Sequence, residues 1–161
     1  MNNLSLEEIV EKYSNMIIQI AYQNVLNSSD AEDITQEVFI KLIKNMDKLE
    51  SQEHIKAWLI RVTINLSKDY NKSFWKRNIT EIDENIKYFD DEEDLEVMKQ
   101  IAKLKPVYRN IIYLYYYQGY KINEIAELLD MKPNTVSSNL TRARNELKGF
   151  LEYGGELYGQ V

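Results

Sequence analysis

The sequence predicts an all-α protein of two small helical domains joined by an acidic linker, the second domain a helix-turn-helix. Three observations predict it. Pro and Gly are both absent from residues 1–79, where apolar residues recur at helical spacing. Residues 80–100 hold 9 acidic and only 2 basic residues. Beyond them a short helical pattern, a tight turn and a longer pattern opening on Pro133 follow in order.

A chain of 161 residues is long enough for one domain or for two minimal ones, so its internal organisation decides. With 44% hydrophobic and 29% charged residues it can bury a core and is too apolar to be disordered throughout. Zero cysteines exclude a disulfide framework and thiolate metal ligation, and the single His54 leaves no histidine-rich metal site. No paired nucleophile and base, metal set or phosphate loop is visible, so neither an enzyme nor a cofactor is expected. The longest apolar runs are broken by charges short of a membrane span, and no basic segment followed by an apolar run opens the chain. The expected location is the cytoplasm, without membrane insertion.

The net charge of −6 is unevenly spread. Residues 1–79 carry 10 basic and 11 acidic residues, and residues 101–161 carry 8 and 6. The middle stretch, with Asp90-Asp91-Glu92-Glu93-Asp94, reads as a solvated linker because adjacent carboxylates repel. An acidic helix face is the alternative near Leu95, Val97 and Met98, where apolar spacing resumes. The expected domains are therefore residues 1–79 and 101–161, with 80–100 as linker.

In the first domain, helix one runs from Leu6 to Leu26. Helix two starts near Ser29, read as an N-cap with Glu32 completing a capping box. Helix three runs from His54 to Arg77, with Ile55, Trp58, Leu59, Val62 and Leu66 as its core stripe. Trp75, near the end of that helix, is less clearly a core residue. Beside the stripe, Arg61, Asn65, Lys68, Lys72 and Lys76 recur at steps of four, three, four and four, a line that can track a phosphate backbone, with a solvated basic face as the alternative.

In the second domain, a helix opening at Leu104-Lys105-Pro106 carries Tyr108, Ile111, Ile112 and Tyr115 on one side and ends at Gln118-Gly119. A helix from Ile122 to Leu129 and another from Pro133 to Phe150 follow, and the tail from Tyr153 is read as frayed. Ala126, Asp130 and Val136 have the spacing of a helix-turn-helix: a small residue at the crossing, a residue able to adopt αL at the turn, and an apolar anchor. An ordinary helical hairpin has the same spacing. The last helix adds Asn134, Ser137, Ser138, Thr141, Arg142 and Arg144 on its outer side, with no carboxylate before Glu146, a set suited to phosphates and base edges. The tyrosines Tyr113, Tyr115, Tyr116 and Tyr117 read as packing aromatics with polar tips.

Gly119 to Leu147 (GYKINEIAELLDMKPNTVSSNLTRARNEL) resembles the fourth-domain helix-turn-helix of the extracytoplasmic-function (ECF) sigma factors, including Glu124-Ile125-Ala126 and Arg142-Ala143-Arg144. Asp30-Ala31-Glu32-Asp33-Ile34 with Gln36-Glu37-Val38-Phe39 resembles the family's polymerase-binding segment, and Ala57-Trp58-Leu59 with Asn65 and Asp69 its promoter-melting helix. The resemblance implies a transcription-initiation factor with core RNA polymerase and promoter DNA as partners, and an anti-sigma protein as a further one. It implies polymerase contacts at Asp33, Gln36 and Glu37, and minus-ten capture of a base in the loop from Leu49 to Glu53. The sequence departs from the family pattern at Ser137 and Asn139, where basic residues are common, and at Lys132, where a capping hydroxyl is usual. Weaker attraction to phosphate is expected there. The rival reading is a free-standing helix-turn-helix regulator binding an operator as a dimer, for which Gln36-Glu37 would have no use.

Overall fold

The computed structural model describes residues 4–74 and 92–150, and among these every regular element is helical. The chain divides into two compact units, Met1–Tyr88 and Phe89–Val161.

The first unit contains three mutually packed helices. Helix α1 (Leu6–Val25) opens on a capping box: Ser5 Oγ accepts from the Glu8 N–H and Glu8 Oε1 accepts from the Ser5 N–H, satisfying two donors that the first turn leaves unpaired. The helix closes at Leu26, whose φ of 57° turns the chain sharply while its N–H bonds the Tyr22 carbonyl at 2.7 Å. Asn27 then caps α2 (Ser28–Asn45), its Oδ1 accepting from the Asp30 N–H at 2.9 Å. This corrects the expected cap at Ser29. Asn27 is the extended residue before the helix, and Ser29 already lies in the first turn.

A 3-10 turn, Met46–Lys48, leads to α3 (Gln52–Phe74). This helix starts two residues before His54 because Ser51 Oγ accepts from the His54 N–H at 3.0 Å, and His54 Nδ1 accepts from the Glu50 N–H at 3.4 Å. The chain's one histidine thus serves as a fastening at a helix start.

The buried face of α3 also differs from expectation. It consists of Ile55, Leu59, Ile60, Thr63, Ile64 and Ser67, whereas Trp58, Val62 and Leu66 are half-buried. The hydroxyls of Thr63 and Ser67 donate to the carbonyls of Leu59 and Thr63 at 2.6 and 2.7 Å, so both side chains are buried with their donors satisfied within the helix. Their small size favours close approach to α1 and α2, which both pack on α3. An apolar count passes over such residues and rotates the predicted core by about one residue.

In the second unit, α4 (Glu92–Ile101) takes up residues that the sequence reading placed in the linker, and it buries Met98 and Ile101. The resumed apolar spacing therefore wins over the charge run from Glu92 onward. Helix α5 (Pro106–Ile112) continues into a π-helical turn, Tyr113–Tyr117, where the Gln118 N–H reaches the Tyr113 carbonyl at 3.2 Å. Gly119, at φ 71°, ends it. Arg109 is buried on α5 and its Nε has no hydrogen-bond partner; burial pushes its pKa down to about 10, which still leaves it charged at neutral pH. Helices α6 (Ile122–Leu129) and α7 (Pro133–Phe150) complete the unit, and α7 packs on α4, α5 and α6. Trp75, Lys76, Arg77, the linker from Thr80 to Asp91, and the tail from Tyr153 lie outside the described residues.

Candidate functional site

The turn between α6 and α7 is closed by a Schellman arrangement. The Met131 N–H bonds the Ala126 carbonyl at 2.8 Å, the Asp130 N–H points to the Glu127 carbonyl at 3.4 Å, and Asp130 holds φ 54° and ψ 52°. Ala126 and Val136 are buried, the first within α6 and the second one turn into α7, and the two helices pack together. All three positions singled out for a helix-turn-helix take the roles their chemistry suggests.

Along α7, Val136, Leu140, Ala143 and Leu147 form the buried line, at steps of four, three and four. Asn134, Ser137, Ser138, Thr141 and Arg142 are all exposed on the opposite side. Thr141 Oγ1 donates to the Ser137 carbonyl at 3.1 Å, which orients the hydroxyl without covering it. Arg144 departs from expectation: it is half-buried, its Nε donates to the Tyr116 hydroxyl at 2.8 Å, and its guanidinium lies 5.3 Å from the Tyr115 ring centroid. It therefore belongs to the seam between α7 and the π turn. The four tyrosines divide accordingly. Tyr113 is buried and stacks on Tyr117, burial pushing its pKa up while the hydrogen bond from Gln118 Nε2 partly offsets this, and Tyr115 meets Tyr116 edge to face.

In the first unit, Ala31, Ile34, Val38 and Leu42 are the buried residues of α2. Asp33 and Gln36 are exposed, Glu37 is half-buried, and the outward line through Asp33 and Gln36 continues into Ile40 and Ile43, which are 54% and 58% exposed. The sequence reading missed these isoleucines. Their signal was available: they fall out of phase with the buried residues, so the helix carries apolar side chains on a face its own fold leaves open.

On α3, Asn65 and Lys68 are exposed, Arg61 is half-buried, Lys72 falls in the last turns of the same helix, and Lys76 lies outside the described residues. Helices α2 and α3 pack together. The pKa of Tyr70 on α3 is pushed up by burial first, and then by the α2 carboxylates Asp33, Glu37 and Asp30. The loop expected to hold an unstacked base is shorter than predicted, since Gln52 and Glu53 are already helical and Leu49 is buried. Lys56 at its edge has its pKa lowered by burial and then by Lys12, whose Nζ donates to Gln52 Oε1 at 2.7 Å.

Comparison with known proteins accounts for both units. The family model of sigma-70 region 2 matches residues 9–77, and that of sigma-70 region 4 matches residues 94–147. The chain is 28% identical over 160 residues to the ECF RNA polymerase sigma factor SigW of Bacillus subtilis, with 88% of this chain and 86% of SigW covered. The chain belongs to the ECF sigma factor family. It is 26% identical over 159 residues to the ECF sigma factor SigE of Mycolicibacterium smegmatis, spanning 91% of this ECF chain but 62% of the length of SigE. Its fold is similar to that of the sigma factor RpoE solved with the anti-sigma factor NepR from Bartonella quintana, at a TM-score of 0.71 and 19% identity, over 92% of this chain and 98% of that one. Within the family frame, region 2 covers α1 to α3 and region 4 covers α4 to α7. No helix of the described residues is long and apolar enough to cross a membrane.

Proposed function

We propose that this chain is a dissociable specificity subunit of RNA polymerase, acting in the cytoplasm where the polymerase works: it binds the core enzyme, directs it to specific promoters and helps open them, with no chemistry of its own. The observation that carries this reading is the occurrence of region 2 and region 4 in family order on one short chain. A free-standing operator-binding regulator would account for the helix-turn-helix but not for the region 2 half.

In this reading the outward line of α2, with Asp33, Gln36, Ile40 and Ile43, meets the polymerase, and Glu37 lies on its flank. Two exposed isoleucines beside polar groups suit a docking surface, where apolar burial supplies affinity and the polar neighbours set register. Arg61, Asn65, Lys68, Lys72 and Lys76 serve the minus-ten region, with phosphate contacts from the cations and a base edge for Asn65. Asn134, Ser137, Ser138, Thr141 and Arg142 face the minus-thirty-five element. An anti-sigma protein, such as the one bound to RpoE in the similar structure, would compete for these surfaces. Pull-down of the tagged chain from nuclease-treated cell extract tests the reading. Co-purification of core polymerase is expected, and its absence would favour the free-standing regulator.

A further inference from the structure

We infer that Arg144 is a positioning residue, locked by Tyr116 and Tyr115 so that it sets the rotation of α7 and thereby the aim of its outer face. The inference rests on the reading that this face meets promoter DNA. Val136, Leu140, Ala143 and Leu147 attach α7 to its unit along one line of apolar contacts. Such a line resists sliding and separation but controls rotation about the helix axis less well, because apolar contact is not directional. Rotation matters for readout. With side chains ending about 5–6 Å from the axis, a turn of roughly 10° moves their tips by about 1 Å, enough to spoil a hydrogen bond to a base.

Arg144 lies off that line and carries a directional contact. Its Nε–H bonds the Tyr116 hydroxyl at 2.8 Å, and its guanidinium stands 5.3 Å from the Tyr115 ring centroid and 5.7 Å from that of Tyr116. The two rings brace each other edge to face at 4.9 Å. They come from the π turn, whose wider winding lets two consecutive side chains serve one guanidinium. A half-buried arginine fixed at three points is poorly placed to follow a phosphate.

The test uses the full chain with core polymerase on two duplexes. One is a promoter recovered with the parental protein from a library randomised across the minus-thirty-five element; the other has that element scrambled. The readout is the affinity ratio between them, which a smaller folded fraction leaves unchanged. Tyr116→Phe and Arg144→Gln should each lower the ratio about tenfold, the double variant no further, with the salt dependence of binding unaltered. Two results would overturn the inference and leave the DNA-facing role of α7 intact, provided Arg142→Ala lowers binding. One is an unchanged ratio in Tyr116→Phe. The other is an Arg144→Gln variant that weakens both duplexes alike, with a salt slope shallower by roughly 0.9, the mark of a phosphate contact. If Arg142→Ala also leaves binding to both duplexes unaffected, the role of α7 and the inference built on it are both wrong.

Discussion

Asp130 occupies a backbone conformation that glycine adopts at far lower cost, and its side chain is exposed. The left-handed region costs an L-residue about 1–2 kcal/mol, less for Asp than for a β-branched residue. Asp130→Gly should therefore raise the stability of the second unit by about 0.5 kcal/mol, once the added freedom of glycine in the unfolded chain is subtracted. Asp130→Val should lower the stability, and thermal unfolding of the two variants checks the sign of each. The start of α2 offers a second single-residue test. Asn27→Ala removes the acceptor for the Asp30 N–H and should cost about 1 kcal/mol, while Ser29→Ala, in an exposed first-turn position, should cost little. Equal losses from both variants in urea unfolding would contradict the assignment of the cap.

At the scale of elements, the outward line of α2 predicts a division of labour. Gln36→Ala with Glu37→Ala, and separately Ile40→Ser with Ile43→Ser, should each weaken binding to core polymerase and leave helicity by circular dichroism unchanged, the isoleucine pair by about tenfold or more. Titration of labelled protein with core polymerase measures both, and unchanged affinity in the isoleucine pair would remove α2 as the docking surface. The same helices show what a sequence makes legible. Prolines, glycine and the αL residue act through local backbone geometry, so α6 and α7 begin and end where the sequence places them and α5 begins at Pro106 as expected, although it passes into the π turn at Tyr113 before reaching Gly119. The turn at Asp130 was legible for the same reason. Faces were harder to read. On α3 the buried Thr63 and Ser67 satisfy their own hydroxyls, and on α2 Ile40 and Ile43 are exposed, so hydrophobicity alone does not predict either face. The contact of Arg144 was not legible because its partner Tyr116 lies 28 residues away, in a π turn that no local pattern announces.

For the whole molecule, charge is the governing quantity. A net charge of −6, with 9 acidic residues between positions 80 and 100, opposes the approach of a polyanion even though Arg61, Lys68 and Arg142 lie on its candidate DNA-facing surfaces. The isolated chain should bind promoter duplex weakly at physiological salt, and a gel-shift titration showing tight sequence-specific binding by the chain alone would point to the free-standing regulator. In the proposed role, polymerase would add a nucleic-acid surface of its own to the sparse cations of the chain. The most direct test is reconstituted transcription with purified chain and core polymerase on a promoter selected by the pair. The account predicts run-off transcripts from that promoter only when both are present, and fewer with Arg142→Ala. Transcription by core enzyme that is indifferent to the chain, despite a folded protein, would contradict it.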